Sequence, residues 1–362
     1  MSHWIAAHTV TWHRRNALNM RAPAAAPSVQ PTRPPRQSSA STRGSLVRYP
    51  CASAQRLPSS GWALEQMPSQ EGRIFLVTGG TSGIGFESAK ALAAAGAQVV
   101  IASRDAAQGD QALTRIHQQT PNARVRFEPL DLADLTAVRA LSARLSASLP
   151  HLDGLINNAA IMQPPNRGTS VDGFELQFAV NYLGHFALTA QLLPLLQKAD
   201  APRVVTLSSI AARSGAIDFA DLQFERAYDA AAAYGQSKLA CLMFGRELQR
   251  RSDAERWGIR SIAAHPGVSR TNLLANHIGA PGFVRRHLAF LFQPAAQGAL
   301  PTLHAATAPQ AQGGSYYGPT GMMETRGPVG LARLPAAALD DTTAARLWAV
   351  SETLSSTHFP SG

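Results

Sequence analysis

Residues 73–85 read RIFLVTGGTSGIG, a short apolar run that closes in a turn crowded with glycine, threonine and serine. Ile74 to Val77 have the length and continuous hydrophobicity of a buried parallel strand, and Ile84 to Ala95 have the pattern of a helix that starts directly after the turn. A strand feeding a helix through such a turn aims free backbone N–H groups and the positive end of the helix dipole at one point. That point suits a pyrophosphate. Gly79, Gly83 and Gly85 give room for it, because glycine reaches backbone angles closed to other residues and lets the backbone approach a phosphate; Thr81, Ser82 and Ile84 complete the cradle. The spacing is TGxxxGxG, wider between the first two glycines than the GxGxxG fingerprint. Standing alone, the same glycines could make an ordinary α/β turn.

The rest of the chain has the means to fold around that unit. Its 362 residues, 45% of them hydrophobic, are enough for a sizeable core in one large domain or two small ones. The two cysteines, Cys51 and Cys241, make no disulfide framework and sit in no metal-ligand cluster, so a reducing compartment without structural zinc is expected. A formal charge of +10 resembles a nucleic-acid signal until it is divided along the chain. Residues 1–66 hold eight arginines against the single acid Glu65 and carry +7 of it. Over the remaining residues Arg and Asp/Glu are interspersed, which argues against a nucleic-acid partner for the folded part. No window approaches 18 consecutive apolar residues, so no transmembrane helix is predicted.

Residues 1–66, rich in Pro, Ser, Ala and Arg, show neither helical nor strand periodicity and read as a disordered basic leader ahead of a domain spanning 67–362. An Arg-rich, acid-poor leader resembles an organelle transit peptide. Otherwise it is a dispensable extension before Met67, or a regulatory tail. The location expected is cytoplasmic, or organellar if the leader is a targeting signal.

Working outward from the glycine turn, Gln98 to Ala102 form a second strand that runs into Ser103, Arg104 and Asp105. In a dinucleotide fold the residue ending this strand meets the adenosine ribose, where an acid accepts from a 2′-hydroxyl and an arginine accommodates a 2′-phosphate. Ser103 followed by Arg104 therefore favours NADP(H) over NAD(H), since a guanidinium forms a charge-assisted fork with phosphate. Alternatively Arg104 is a solvated residue opening the helix Asp105 to His117. Val125 to Phe127 make a third strand, ending in Asp131 and Leu132. Asp131 accepts from an adenine amine or caps the helix Leu135 to Leu149. Leu152 to Ile156 make the fourth strand, and Asn158 and Ala159 beyond it allow close approach of a flat ligand or form a plain turn.

Three later segments converge on the same sheet edge. Asn181 lies in NYLGHF, within an apolar helix from about Phe174 to Leu196, where an asparagine is unfavourable without a reason because its amide competes for backbone groups. Val204 to Leu207 form strand five and deliver Ser208 and Ser209 to its end. Tyr234 and Lys238 stand four apart in AAYGQSKLACLMFGREL and share one helix face. A phenol is ordinarily a poor base at neutral pH, but an ammonium about 6 Å away at an effective dielectric of about 20 favours its ionised form by roughly 2.8 kcal/mol. That suffices for general acid/base work near neutrality. Lys238 is one of only three lysines, with Lys90 and Lys198, against thirty arginines, which suggests a task that arginine cannot do. Tyr228 is the competing phenol, but Ala232 occupies its i+4 position and supplies no cation.

With these residues in order, the chain from Arg73 onward resembles the short-chain dehydrogenase/reductase family. TGGTSGIG, the NNAA after strand four, Asn181, Ser209, YxxxK at Tyr234 to Lys238, and PGVSRT at Pro266 to Thr271 follow the family's sequence of motifs. Within it, ASRD at Ala102 to Asp105, an insertion including DFADLQ, and LWAVSETL at Leu347 to Leu354 resemble the retinol dehydrogenase-like branch. The resemblance implies a doubly wound parallel sheet of the Rossmann type and a catalytic set of Asn181, Ser209, Tyr234 and Lys238. Tyr234 would exchange a proton with the substrate oxygen, Lys238 would favour its ionised form and hold the nicotinamide ribose, Ser209 would hydrogen-bond the substrate oxygen, and Asn181 would anchor a relay water. Ser209 is preferred to Ser208 because its 25-residue distance to Tyr234 equals the branch's spacing. The resemblance also turns Asp131 toward the adenine and places Pro266, Gly267, Val268 and Thr271 beside the nicotinamide amide and phosphates. NNAA in place of the commoner NNAG is a small departure. The branch's membrane-bound members carry an N-terminal apolar anchor that this sequence lacks.

After Thr271, NLLANHIGAPGFVRRHLAFLF suits a lid over an apolar substrate, an amphipathic packing helix, or a segment resting on a lipid surface through Arg285, Arg286, Phe290 and Phe292. Gly314 to Tyr317 are expected as a last strand and Asp340 to Ser355 as a closing helix. The function expected is reversible hydride transfer between NADP(H) and an apolar alcohol, aldehyde or ketone. The other reading is a catalytically silent member that senses NADP(H) or acts as a scaffold. A nucleotide-sugar epimerase would be expected to carry TGxxGxxG.

Overall fold

The computed structural model describes residues 61–269 and 293–360. Thr271, the expected lid at 272–292, and the leader up to residue 60 lie outside the described residues. Eight strands make one sheet: β1 (Ile74–Thr78), β2 (Gln98–Ser103), β3 (Arg124–Pro129), β4 (Gly154–Asn157), β5 (Arg203–Leu207), β6 (Arg260–Ala264), β7 (Tyr316–Gly321) and β8 (Arg326–Leu331). Their spatial order is β3-β2-β1-β4-β5-β6-β7-β8, parallel from β3 through β7, with β8 returning antiparallel at the edge.

Every residue of β1 is buried because both faces of the sheet are covered. Alternate side chains feed two cores. Leu76 and Val100 point to the layer holding α3 (Leu135–Ser148), α4 (Gly184–Leu196), α5 (Ala230–Ala254) and α7 (Asp341–Ser355). Phe75, Val77, Val99 and Ile101 point to α1 (Gly83–Ala94), α2 (Ala106–Gln119) and α6 (Ala295–Thr307). The sheet is therefore doubly wound, and the strand order reverses between β1 and β4, where open α/β sheets present a ligand crevice at their carboxyl ends.

Capping sets several helix starts. Asp105 accepts from the Gln108 N–H at α2, Asp134 from Thr136 and Ala137 at α3, Asp229 from Ala232 at α5 and Asp340 from Thr342 and Thr343 at α7. The cap of α3 is thus Asp134, three residues beyond Asp131. The helix expected over Phe174 to Leu196 is interrupted: one turn at Leu176–Phe178 passes into a π turn, Ala179–Leu183, before α4 begins. The last strand starts two residues later than expected and is joined by β8, which the sequence pattern did not announce. Order also begins ahead of Met67. Trp62 is 3% exposed and packs edge-on against His304, so Gly61 to Gln66, expected within the leader, belong to the folded body. No helix among the described residues is long and apolar enough to cross a membrane.

Candidate active site

The carboxyl rim of the sheet carries a cavity of about 720 Å³. Its floor at one end is the glycine turn, with Gly79, Thr81, Ser82, Gly83, Ile84 and Gly85 all lining it. Gly79 and Gly83 have φ of 65° and 56°, the left-handed region that glycine enters without cost. At Gly85 a Cβ would overlap the Asn158 side-chain amide and the Gly79 carbonyl, so only a hydrogen fits. The first-turn N–H groups of α1 have no carbonyl four residues back to bond and face this end of the cavity. Further along lie Ser103 and Arg104 from the end of β2, joined by Gln108, and Asp131 and Leu132 after β3. Asp131 Oδ1 accepts from the Ala133 N–H at 2.9 Å, which turns the chain there and leaves helix capping to Asp134.

Asn158 and Ala159 also line the cavity and are fastened to β1. The Asn158 side chain donates to the Thr78 carbonyl at 2.8 Å, and the Asn158 and Ala159 N–H groups donate to the Thr78 hydroxyl at 2.9 and 3.1 Å. That hydroxyl stands 2.8 Å from His185 Nε2, while His185 Nδ1 stands 3.0 Å from the Asn181 carbonyl. A carbonyl only accepts, so Nδ1 carries the ring proton and Nε2 accepts from Thr78. Burial, with Lys238 nearby, pushes His185 down to about 4 and keeps the ring neutral. His185 thus joins the segment after β4 to Asn181 through the Thr78 hydroxyl. Sequence reading passed over it, although it stands four residues after Asn181 in NYLGHF.

Asn181 is 1% exposed and lies beneath the cavity rather than on its surface. Its Oδ1 accepts from the Ile161 N–H at 2.8 Å, and its Nδ2 donates to the Ile161 carbonyl at 3.0 Å and to Ser237 Oγ at 2.9 Å. The π turn closes with a Gly184 N–H to Ala179 carbonyl bond, five residues back. His185 Nδ1 and the thiol of buried Cys241, 3.1 Å away, donate to the Asn181 carbonyl.

Tyr234 and Lys238 both line the cavity, on one face of α5, as expected. They are 9% and 3% exposed, and Lys238 Nζ lies 5.9 Å from the centre of the Tyr234 ring. Nζ donates to the Leu207 carbonyl at 3.1 Å, which fixes the ammonium beneath the end of β5. Of the two serines, Ser208 lines the cavity and its hydroxyl donates to the Lys238 carbonyl at 2.7 Å. Ser209 Oγ accepts from the Ala211 N–H at 3.2 Å, a bond that leaves the hydroxyl proton unused. Tyr228, the competing phenol, instead donates to the Pro164 carbonyl and accepts from Gln177.

Pro266 also lines the cavity. Gly267 has φ of 63°, and the Val268 N–H donates to the Thr325 carbonyl at 2.8 Å, so beyond Pro266 the loop is tied to the β7–β8 turn, and Gly267 and Val268, expected at the cofactor, do not line the cavity. No group of three or more His, Cys, Asp or Glu that could hold a metal occurs among the described residues.

Comparison with known proteins agrees with this arrangement. The family model of the short chain dehydrogenases matches residues 73–279. Retinol dehydrogenase 12 of Mus musculus is 40% identical over 282 residues, covering 77% of this chain and 85% of the relative. Among solved structures, a protein from Mycobacterium paratuberculosis superposes with a TM-score of 0.69 at 39% identity, covering 83% of this chain and 99% of its own. The Pseudomonas aeruginosa RhlG/NADP active-site complex superposes at 0.56 with 27% identity, covering 68% and 95%. A glycine turn, a buried Tyr–Lys pair and an asparagine-bearing π turn on one sheet rim, together with these likenesses, place the chain in the short-chain dehydrogenase/reductase family of oxidoreductases, in its retinol dehydrogenase-like branch.

Proposed function

We propose that the protein interconverts an apolar alcohol and its aldehyde or ketone, using NADP(H) in preference to NAD(H). The observation that carries this reading is the Tyr234 phenol with an ammonium 5.9 Å from its ring, both facing a cavity that begins at a glycine turn. The residues present fit a dinucleotide. The glycine turn, packed so closely on Asn158 and Ala159 that a Cβ would collide with them, presents a helix N-terminus suited to a pyrophosphate, Asp131 and Leu132 flank the adenine end, and Ser103, Arg104 and Gln108 surround the place of a 2′-phosphate. When bound, the nicotinamide supplies or takes up the hydride at the carbonyl carbon.

The protein's part is the proton. In reduction Tyr234 gives its phenolic proton to the carbonyl oxygen as charge develops there, and in oxidation the phenolate takes the proton back from the alcohol. Lys238, held by the Leu207 carbonyl with its ammonium 5.9 Å from the centre of the Tyr234 ring, places a positive charge beside the phenol. Ser209 has a hydroxyl proton to donate to the same oxygen, whereas Ser208 has spent its own on Lys238. Asn181 holds the Ile161 segment against α5 through both ends of its amide. Leu130, Ile161, Met162, Leu176 and Val180 supply apolar lining, in keeping with an apolar substrate and with a relative that bears the name retinol dehydrogenase.

Tyr234→Phe tests the reading. With NADPH and a panel of apolar aldehydes and ketones, the wild-type chain is expected to consume absorbance at 340 nm. The variant should lose that turnover while its NADPH affinity stays within a few-fold, and retained turnover would refute the assignment.

A further inference from the structure

The turn between β7 and β8 reaches the same rim as the catalytic candidates. β7 runs parallel to β6, so Met322–Glu324, which follow β7, emerge beside the segments that follow β5 and β6. Met322, Met323 and Glu324 have φ of 43°, 57° and 66°, three consecutive non-glycine residues in the left-handed region. Such backbone persists only where its surroundings hold it, and it gathers at functional sites.

The Glu324 carboxylate does the holding. Its Oε2 accepts from Arg213 Nη2 at 2.5 Å and from His265 Nε2 at 3.2 Å, and its Oε1 accepts from the Arg333 N–H at 2.9 Å. The Gly267 N–H donates to His265 Nδ1 at 3.2 Å, so the ring proton sits on Nε2 and points at the carboxylate. Arg213 ends the short turn Ile210–Arg213 that Ser209 caps, and its Nη1 also donates to the Met323 carbonyl at 3.4 Å. His265 immediately precedes Pro266, and Val268 N–H donates to the Thr325 carbonyl. One carboxylate therefore joins the serine turn, the Pro266 loop and the chain returning beyond β8.

We propose that Glu324 is a positioning residue that sets the serine turn at a fixed distance from the Pro266 loop, and so aligns the substrate oxygen with the nicotinamide end of the cofactor. The proposal rests on the function proposed above. It is tested on the full chain with Glu324→Gln, which keeps shape but removes the charge, and with Arg213→Met, which unties the serine turn from Glu324 and the Met323 carbonyl but leaves Glu324 its bonds to His265 and Arg333. Both are assayed well below the onset of unfolding. Glu324→Gln should lower kcat at least tenfold at saturating NADPH. Arg213→Met should raise the KM for the carbonyl substrate at least fivefold, with the NADPH dissociation constant within twofold of wild type. The double variant should be no slower than Glu324→Gln, because residues that act through one contact do not add.

Single variants within twofold of wild type in kcat/KM, a change confined to thermal stability, or additive losses would each overturn the proposal. If Glu324→Gln does not fold, the half-exposed Arg213 still permits the KM-against-kcat comparison. Failure of the underlying reading shows separately, as turnover surviving in Tyr234→Phe.

Discussion

In the proposed function, the preference for NADP(H) over NAD(H) rests on Arg104. It follows Ser103 at the end of β2, in the position where an acid would accept from a ribose 2′-hydroxyl. The neighbouring acid, Asp105, is occupied. Its carboxylate accepts from the Gln108 N–H at 3.0 Å and from the Gln108 side chain at 2.8 Å, bonds that hold it below the usual carboxylate range. It serves the first turn of α2, and Arg104 and Gln108 are left to line the cavity. A hydrogen bond to a charged group contributes about 1.5–3 kcal/mol, or roughly 10- to 100-fold in an equilibrium constant. Arg104→Ala is therefore expected to raise the KM for NADPH by at least tenfold while the KM for NADH changes no more than twofold. Steady-state kinetics with both cofactors checks this, and equal losses would remove Arg104 from phosphate recognition.

At the scale of elements, the π turn Ala179–Leu183 carries Asn181, whose one amide side chain closes on both backbone groups of Ile161 and whose carbonyl accepts from His185 and Cys241. Asn181→Ala would leave the half-buried Ile161 N–H and C=O without those partners, at a cost of about 1 kcal/mol or more. For a domain of this size the melting temperature should fall by several degrees. Turnover should fall with it, because Ile161 lines the cavity; calorimetry and kinetics on one preparation check both. The π turn itself was not legible in the sequence, since a shift of hydrogen-bond register from four residues to five leaves the apolar pattern of the segment almost unchanged. β8 was missed for another reason: RGPVGL carries two glycines and a proline, residues depleted from strands and tolerated here at an edge. Legible elements were those with a chemical mark, such as the buried apolar runs of β1, β2 and β5. The Tyr234–Lys238 pair was legible because helical spacing alone puts i and i+4 on one face. Asp131 and Asp134 divide the two roles, cavity and cap, that sequence reading left open for Asp131.

For the molecule as a whole, the two cores carry buried histidines whose neutrality is a condition of packing. His304 on α6 is fully buried, edge-on to Tyr317 with ring centres 4.5 Å apart and to Trp62 at 5.6 Å. Neither of its ring nitrogens finds a partner among the described residues. Burial, with Arg203 nearby, pushes it down to about 4, as burial does for His185 in the opposite layer. In the unfolded chain both return to the ordinary value near 6.5. Between about pH 6.5 and 4 the unfolded state therefore binds more protons than the folded one, and stability falls as the pH is lowered through that window. A depression of this size corresponds to roughly 3 kcal/mol for each histidine, a large share of the 5–15 kcal/mol typical of a folded protein. His304→Phe places an aromatic ring between Trp62 and Tyr317 that cannot take a proton. Urea unfolding at pH 7.5 and at pH 4.5 should show the wild-type chain losing about 2–3 kcal/mol more than this variant on acidification. An equal loss in both would mean that His304 either stays neutral on unfolding or gains a proton while the fold is intact.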